Sequence, residues 1–129
     1  GTNDPLIPFE GGCVAGDRCE RGRVLSTAET VAFWVDVNGA STEAIVKKLP
    51  NRSWLDGSTV TVYTFASGSE AAVVYVHIQG GGHNVPGFET ISSLVRAVAG
   101  SKNRDIDAPT EIWAFFEKNP SREAPVPGL

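Results

Sequence analysis

The chain has 129 residues, of which 41% are hydrophobic and 20% charged, and its formal net charge is −4 with a pI near 5.1. These values predict one globular domain and exclude a chain that is disordered throughout. The acidic balance and scattered basic residues argue against nucleic acid or anionic membranes as partners, and no apolar run approaches the roughly 20 residues of a membrane span.

The first 23 residues are rich in glycine, proline and polar residues, which predicts loop. A helix should follow over Thr27–Val37. Ser26 and Glu29 have the spacing of a capping box, and Asn38-Gly39 is a C-terminal stop signal. No methionine occurs in the sequence. We therefore expect a processed, truncated or engineered chain, or one whose true start lies upstream.

The two cysteines, Cys13 and Cys19, lie six residues apart in this N-terminal loop. A disulfide across so short a loop is sterically possible and would indicate an oxidising compartment. Two unrelated thiols are the alternative, and spacing does not decide between them. A metal site is disfavoured because the spacing is not CxxC and no second Cys or His pair completes it.

Residues 41–57 have a mixed pattern, with Pro50 and Asp56-Gly57 as breakers, and no element is predicted there. Two strands should follow, over residues 59–65 and 71–79, since both runs are rich in β-branched and aromatic residues. The polar turn at residues 67–69 predicts that they pair as a hairpin. The second strand is apolar on both faces until His77, which is typical of a strand inside a sheet.

Two further helices are predicted. The first covers residues 91–99, with apolar side chains on one face and Gly100 after it. The second begins with Asp107 as N-cap and Pro109 in the first turn, and it carries an aromatic run. We assign residues 1–119 to one domain and residues 120–129 to a flexible tail.

The pattern with most chemical content is Gly80-Gly81-Gly82-His83, directly after the second strand. Glycines let the backbone turn sharply and would present the imidazole at the carboxyl end of the strand, where open α/β sheets bind ligands. His83 could therefore act as a general base. The plain alternative is a loop histidine without a chemical role. Asp4, before Pro5, is by itself only a turn residue.

Six segments of the chain carry a resemblance to a known family, in one order from Gly1 to about Asn119. They resemble the C-terminal part of secreted α/β-hydrolase esterases, the poly(3-hydroxybutyrate) depolymerase and feruloyl esterase-like enzymes. The segments are GTNDPLIPFEGG (1–12), VLSTAETVAFW (24–34), DGSTV (56–60), GGGHNVPG (80–87), RDIDA (104–108) and IWAFF (112–116).

The resemblance implies a serine–acid–histidine triad in which Asp4 matches the acid and His83 the base. The acid would accept the Nδ1 proton of the histidine and stabilise the imidazolium formed during acyl transfer. None of the serines here has the Gly-x-Ser-x-Gly pattern, so the nucleophile is expected upstream. Ser67 and Ser69 flank Gly68 but are interpreted as turn residues.

The chain also departs from the family pattern. Asn84 and Val85 follow the histidine where relatives often have Thr-Trp, so the pair is a weaker candidate for substrate binding and a polymeric substrate is less well supported. Ala40 and the residues around Ala66 stand where relatives often have bridged cysteines, so that bridge is excluded.

The implied fold is the C-terminal portion of an α/β-hydrolase: its last strand, a hairpin partner and about three helices, in an incomplete sheet. Its partners would be an ester substrate and either the missing N-terminal part of the enzyme or a second copy bound at the open strand edge. The alternative function is a non-catalytic binding or assembly module with the same fold. No cofactor is expected, a metal site at His77 and His83 is the least favoured idea, and the family implies secretion or the periplasm.

Overall fold

The computed structural model describes residues 1–68 and 70–120. In this part of the chain the fold is mixed α/β, with two antiparallel sheets and three α-helices. The elements in chain order are β1 (Gly12–Cys13), β2 (Arg23–Val24), α1 (Thr27–Val37), β3 (Ile45–Lys48), β4 (Thr59–Ser67), β5 (Glu70–Gln79), α2 (Ser93–Ala99) and α3 (Ala108–Lys118).

Helix α1 has the predicted bounds because capping residues mark both of its ends. The Ser26 side chain accepts the backbone N–H of Glu29 at 3.1 Å, and the Glu29 carboxylate accepts the backbone N–H of Ser26 at 2.8 Å. This reciprocal pair satisfies two of the N–H groups that a helix start leaves free. Gly39 follows the C-cap Asn38 with a φ of 59°, a left-handed conformation that glycine adopts without strain.

The central sheet has the strand order β3-β4-β5 and is antiparallel throughout. The predicted pairing of β4 with β5 is confirmed, with Thr59 opposite Gln79 and Tyr63 opposite Tyr75. The register shifts at Phe65/Ala66, near the connection between the two strands. Of the predicted turn at residues 67–69, Ser69 lies outside the described residues.

Residues 41–57, for which the mixed pattern predicted no element, contain two. Ile45–Lys48 forms β3 and pairs with the second edge of β4, and Trp54–Asp56 forms a short 3₁₀-helix. All four residues of β3 are exposed, so the strand has no buried face whose alternation could have marked it. Pairing with β4 is what makes this segment a strand.

Smaller corrections apply at other element boundaries. The N-terminal loop contains the two-residue pair β1-β2, which is too short to have a sequence signature. Helix α2 begins at Ser93 rather than Ile91, because Ser92 accepts the N–H of Val95 and acts as N-cap. The α3 start at Asp107 is confirmed. Of the predicted flexible tail, residues 121–129 lie outside the described part of the chain.

The two faces of the central sheet are only partly covered. Helix α1 packs near β5 on the face that carries Tyr63, Tyr75 and His77, while α3 lies over the opposite face. Within the described residues, three apolar side chains are buried: Val35, Val60 and Ile106. Many large apolar side chains are at least half exposed, among them Phe33, Trp34, Val37, Trp54, Leu94, Ile112, Trp113 and Phe116. The apolar surface of this part of the chain is therefore far from fully buried.

A buried network of polar side chains joins the segment between β3 and β4 to the segment between α2 and α3. Asp105, which is 4% exposed, accepts the backbone N–H groups of Arg52 and Ser53 with one carboxylate oxygen and the Asn103 amide with the other. Asn103 also donates to Ser58. Every bond of this network matches a donor to an acceptor, as buried polar groups require.

Replacement of Asp105 by alanine tests this network. The Asp105→Ala variant leaves the backbone N–H groups of Arg52 and Ser53 without acceptors and removes one of the two acceptors of the Asn103 amide, so we expect a loss of about 3 kcal/mol in the free energy of unfolding. Urea denaturation followed by tryptophan fluorescence measures the loss. Asp17→Ala is the matched control, because Asp17 is exposed. Equal stability of the two variants would show that the network contributes nothing.

Within the described part of the chain, no helix combines the length and the apolar composition that a bilayer crossing requires.

Candidate catalytic dyad

The structure brings Asp4 and His83 together although 79 residues separate them. The Nδ1 atom of His83 lies 2.9 Å from Oδ2 of Asp4. The Asp4 side chain is 10% exposed, whereas that of His83 is 46% exposed. A largely buried carboxylate therefore holds one nitrogen of a half-exposed ring.

Asp4 is oriented by its own turn. Its Oδ1 accepts the backbone N–H groups of Leu6 and Ile7, both at 2.8 Å, which leaves Oδ2 for the histidine. Pro5 provides no N–H and fixes the backbone φ at the start of this turn. The turn that the sequence predicts therefore also orients the Asp4 carboxylate toward His83.

The carboxyl group of Asp4 is held in its ionised form. Partial burial would raise its pKa, but the N–H groups of Ile7 and Leu6 and then the His83 ring outweigh burial and lower the pKa below its ordinary value of 3.8. Because the folded-state pKa is the lower one, this interaction stabilises the fold above pH 3.8. That stabilisation is lost as the pH falls through the folded-state pKa.

The first residues of the chain run parallel to the end of β5. Thr2 donates its backbone N–H to the carbonyl of Ile78, and Asn3 donates to Gly81, both at 3.0 Å. The Thr2 hydroxyl accepts the N–H of Gly80 at 2.8 Å. These bonds place the acid turn beside the histidine loop. Thr2 was not among the predicted site residues, since a lone threonine in a loop carries no sequence signal.

The glycines before His83 permit close backbone packing. Gly82 donates to the carbonyl of Ser101 at 2.9 Å, and His83 donates to that of Ala99 at 2.6 Å. A Cβ atom on Gly82 would come within 2.8 Å of the Gly100 backbone, so a larger residue would push this loop away from the end of α2. The loop is therefore fixed against the helix that follows it.

Asn84 and Val85, the predicted substrate-binding pair, have different environments. The Asn84 amide donates to the carbonyls of Gly100 at 3.0 Å and Ala99 at 3.3 Å, which ties the histidine loop to the end of α2. Its observed contacts are thus structural. Val85 is 67% exposed beside the dyad, and its contact with a substrate stays a prediction.

The arrangement can move a proton. With Nδ1 directed at a carboxylate, the neutral ring carries its proton there and presents the unprotonated Nε2 as a base. Within residues 1–68 and 70–120, the side-chain hydrogen bonds of His83 run to Asp4 and to no serine. The dyad has the geometry of a general base without an attached nucleophile in this part of the chain.

His77 lies apart from the dyad, in an aromatic cluster on the α1 face of the sheet. Its ring centroid is 5.5 Å from that of Phe9 and 5.8 Å from that of Tyr75, and the group lines an open groove of about 1240 Å³. Burial lowers the pKa of His77 below 6.5. Among the described residues, no cluster of three His, Cys, Asp or Glu side chains could hold a metal ion. A site shared by His77 and His83 therefore has no geometric support.

Cys13 and Cys19 form a disulfide, the first of the two alternatives that the sequence left open. The bridge closes the loop that precedes β2. Ala15, inside this loop, donates its backbone N–H to the carbonyl of Leu6 at 2.7 Å. The disulfide loop thus contacts the turn that orients Asp4.

We expect Asp4 to determine which ring nitrogen of His83 carries the proton. In Asp4→Asn, the side-chain amide can donate to Nδ1, so the proton should move to Nε2. Long-range ¹H–¹⁵N correlation spectra at pH 8.5 distinguish the two tautomers. The chain has only two histidines, so His77 serves as internal reference. Glu10→Gln, at an exposed carboxylate of the same loop, is the control, and an unchanged tautomer in Asp4→Asn would contradict the assignment.

No protein-family model matches this chain, and comparisons with curated proteins and with solved structures return no significant match. The geometry of the Asp4–His83 dyad and the resemblance in sequence are therefore the two observations that bear on function.

Proposed function

We propose that this chain supplies the acid and the base of a Ser-Asp-His triad in a carboxylic-ester hydrolase of the α/β-hydrolase fold. The nucleophilic serine would lie on a segment outside residues 1–129. The observation that carries the proposal is the 2.9 Å contact between Asp4 Oδ2 and His83 Nδ1. The resemblance in sequence to the esterases points to the same two residues.

The orientation of both side chains supports the proposal. Asp4 uses Oδ1 for the Leu6 and Ile7 N–H groups and Oδ2 for the imidazole, so the carboxylate cannot rotate without losing a bond. The histidine sits after β5 and a glycine turn, at the carboxyl end of that strand. In the parallel sheet of the proposed parent fold, ligands bind at the carboxyl ends of the strands.

The chemistry follows from these positions. Nε2 of His83 would remove the proton from a serine hydroxyl as its oxygen attacks the ester carbonyl, and Asp4 would stabilise the imidazolium. The ring would then donate that proton to the leaving alcohol. In the second half of the reaction, water replaces the serine and the acyl group leaves as a carboxylic acid.

The partner that we propose is the rest of the same enzyme, bound along the free edge of β5. Since the Ile78 carbonyl accepts from Thr2, alternate residues of β5 direct their backbone groups away from β4, which leaves Val74 and Val76 with unpaired groups along this edge. In the full product, the residues that precede Gly1 would extend along that edge, parallel to β5. The exposed apolar side chains of α1 and α3 would gain cover in the same assembly.

An oxidising location, secreted or periplasmic, completes the proposal. The Cys13–Cys19 disulfide supports it, because such bonds persist outside reducing compartments.

A fluorophosphonate probe tests the triad directly. Applied to the full gene product that contains this chain, the probe should label one serine outside residues 1–129, and His83→Ala should reduce labelling by about a thousandfold or more because the base is lost. Intact-mass and peptide mass spectrometry locate the label. His77→Ala is the matched control and should still be labelled.

Three results would overturn this proposal: a label on a serine within residues 1–129, labelling that survives His83→Ala, or no labelled serine in a full product that folds. The last of these would favour the non-catalytic binding module.

Hydrogen exchange tests the partner proposal. In the isolated chain, the amides of Val74 and Val76 should exchange fast while those of Tyr75 and His77, bonded to β4, stay protected. In the full product all four should be protected. Protection of Val74 and Val76 that rises with the concentration of the isolated chain would instead identify a second copy at this edge, and protection of both at high dilution would contradict a free edge.

A further inference from the structure

The Cys13–Cys19 disulfide has a cation beside it. Nη1 of Arg23 lies 3.4 Å from Sγ of Cys19 and 3.7 Å from Sγ of Cys13. Sγ of Cys13 in turn lies 3.5 Å from the carbonyl oxygen of Asp17. The guanidinium of Arg23 therefore lies beside both sulfurs, nearer to that of Cys19, and Cys13 differs from Cys19 in its added contact with a carbonyl oxygen, which disfavours a negative charge on it.

We propose that Cys13–Cys19 is a thiol–disulfide exchange site that reacts with small thiols, with Cys19 as the leaving thiolate. Arg23 stabilises a negative charge on Cys19, and a thiol of lower pKa leaves faster in exchange. Cys13, once reduced, can donate its S–H to the Asp17 carbonyl and remain a neutral thiol. The geometry thus gives the two cysteines different roles.

The reaction proceeds in two displacements. An external thiolate attacks Sγ of Cys13, the Cys13–Cys19 bond breaks, and the electron pair leaves on Cys19 as a thiolate beside Arg23. A second external thiolate then attacks the external sulfur of the mixed disulfide, and Cys13 leaves and takes a proton from water. The loop gains two electrons, and two molecules of the external thiol are oxidised to their disulfide.

The backbone of the closed loop favours opening. Ala15 and Cys19 have φ values of 51° and 53°, in the left-handed region that side-chain-bearing residues rarely adopt. The covalent bridge holds both conformations in a short segment. Reduction removes this restraint, so the loop is free to relax, and the reverse reaction must restore both conformations.

The loop is coupled to the dyad by a chain of hydrogen bonds. Ala15 donates to the carbonyl of Leu6, and the Ile7 N–H of that same peptide group donates to Oδ1 of Asp4, whose Oδ2 holds His83. A relaxed loop would release the first of these bonds and loosen the acid turn. This consequence, a redox control of the dyad, rests on the proposed function, whereas the exchange chemistry does not.

The exchange site is tested by the rate of reduction and by the order of alkylation. With excess dithiothreitol at pH 7, Arg23→Gln should be reduced about three- to fivefold more slowly than the parent, because Cys19 becomes a poorer leaving group. In the reduced parent, iodoacetamide should modify Cys19 before Cys13, and Arg23→Gln should erase that preference. Trypsin cleaves after Arg18 and separates the two cysteines for mass spectrometry.

Arg21→Gln is the matched control, because Arg21 is exposed on the same loop and its side chain makes none of the sulfur contacts described above. Its reduction rate and alkylation order should equal those of the parent. Equal rates in Arg23→Gln and Arg21→Gln, or alkylation of Cys13 first, would overturn the exchange site.

The coupling to the dyad has its own readout. The Nδ1–H tautomer of His83, followed by ¹H–¹⁵N correlation, should lose population when the disulfide is reduced, and the double variant Cys13→Ser/Cys19→Ser should match the reduced parent. Unchanged His83 signals would refute the redox control and leave the exchange chemistry standing. Loss of fluorophosphonate labelling in the oxidised full product would instead count against the triad.

Discussion

Two parallel backbone hydrogen bonds, from Thr2 to Ile78 and from Asn3 to Gly81, are the contacts on which the site depends. They fix the start of the chain against the end of β5 and so bring an acid and a base from distant segments to 2.9 Å. Everything else at the site is local. The side chain of Asp4 is oriented by its own turn. The position of His83 is set by the glycines that precede it and by the end of α2, against which they pack. A small number of non-local bonds therefore joins two loops that are each organised by neighbouring residues.

Because the site is held mainly by local hydrogen bonds, it can be well ordered although most large apolar side chains of the described residues are not buried. Within the described residues, Val35, Val60 and Ile106 are the buried apolar side chains, while aromatic and aliphatic residues of α1 and α3 are largely exposed. Packing of apolar side chains needs complementary surfaces from many elements. A carboxylate with two backbone donors and one imidazole partner needs four residues. Hydrogen-bonded geometry can thus persist where the hydrophobic core is incomplete.

Elements that depend on neighbouring residues were predicted from the sequence, and those that depend on distant contacts were not. Helix α1, the β4-β5 hairpin and the α3 start were predicted correctly because capping residues, β-branched alternation and Asp107 are local signals. Strand β3 was missed because it is short, exposed and defined by its pairing with β4. The dyad could be named but its distance could not be derived, since the bonds of Thr2 and Asn3 have no pattern in the sequence. Asn84 was predicted on the substrate side, yet its amide is bonded to backbone carbonyls.

The disulfide loop is connected to the Asp4 carboxylate through backbone hydrogen bonds of the acid turn. The Leu6–Ile7 peptide group donates its N–H to the Asp4 carboxylate, and its carbonyl accepts from Ala15 of the disulfide loop. Peptide hydrogen bonds in series polarise each other, so the Ala15 bond to the Leu6 carbonyl strengthens the bond that the Ile7 N–H of the same peptide group donates to Asp4. The pKa of Asp4 is lowered chiefly by those N–H groups against the effect of burial. A loop that is closed by a disulfide thus contributes to keeping a carboxylate ionised and directed at a base, although no side chain of that loop touches the dyad.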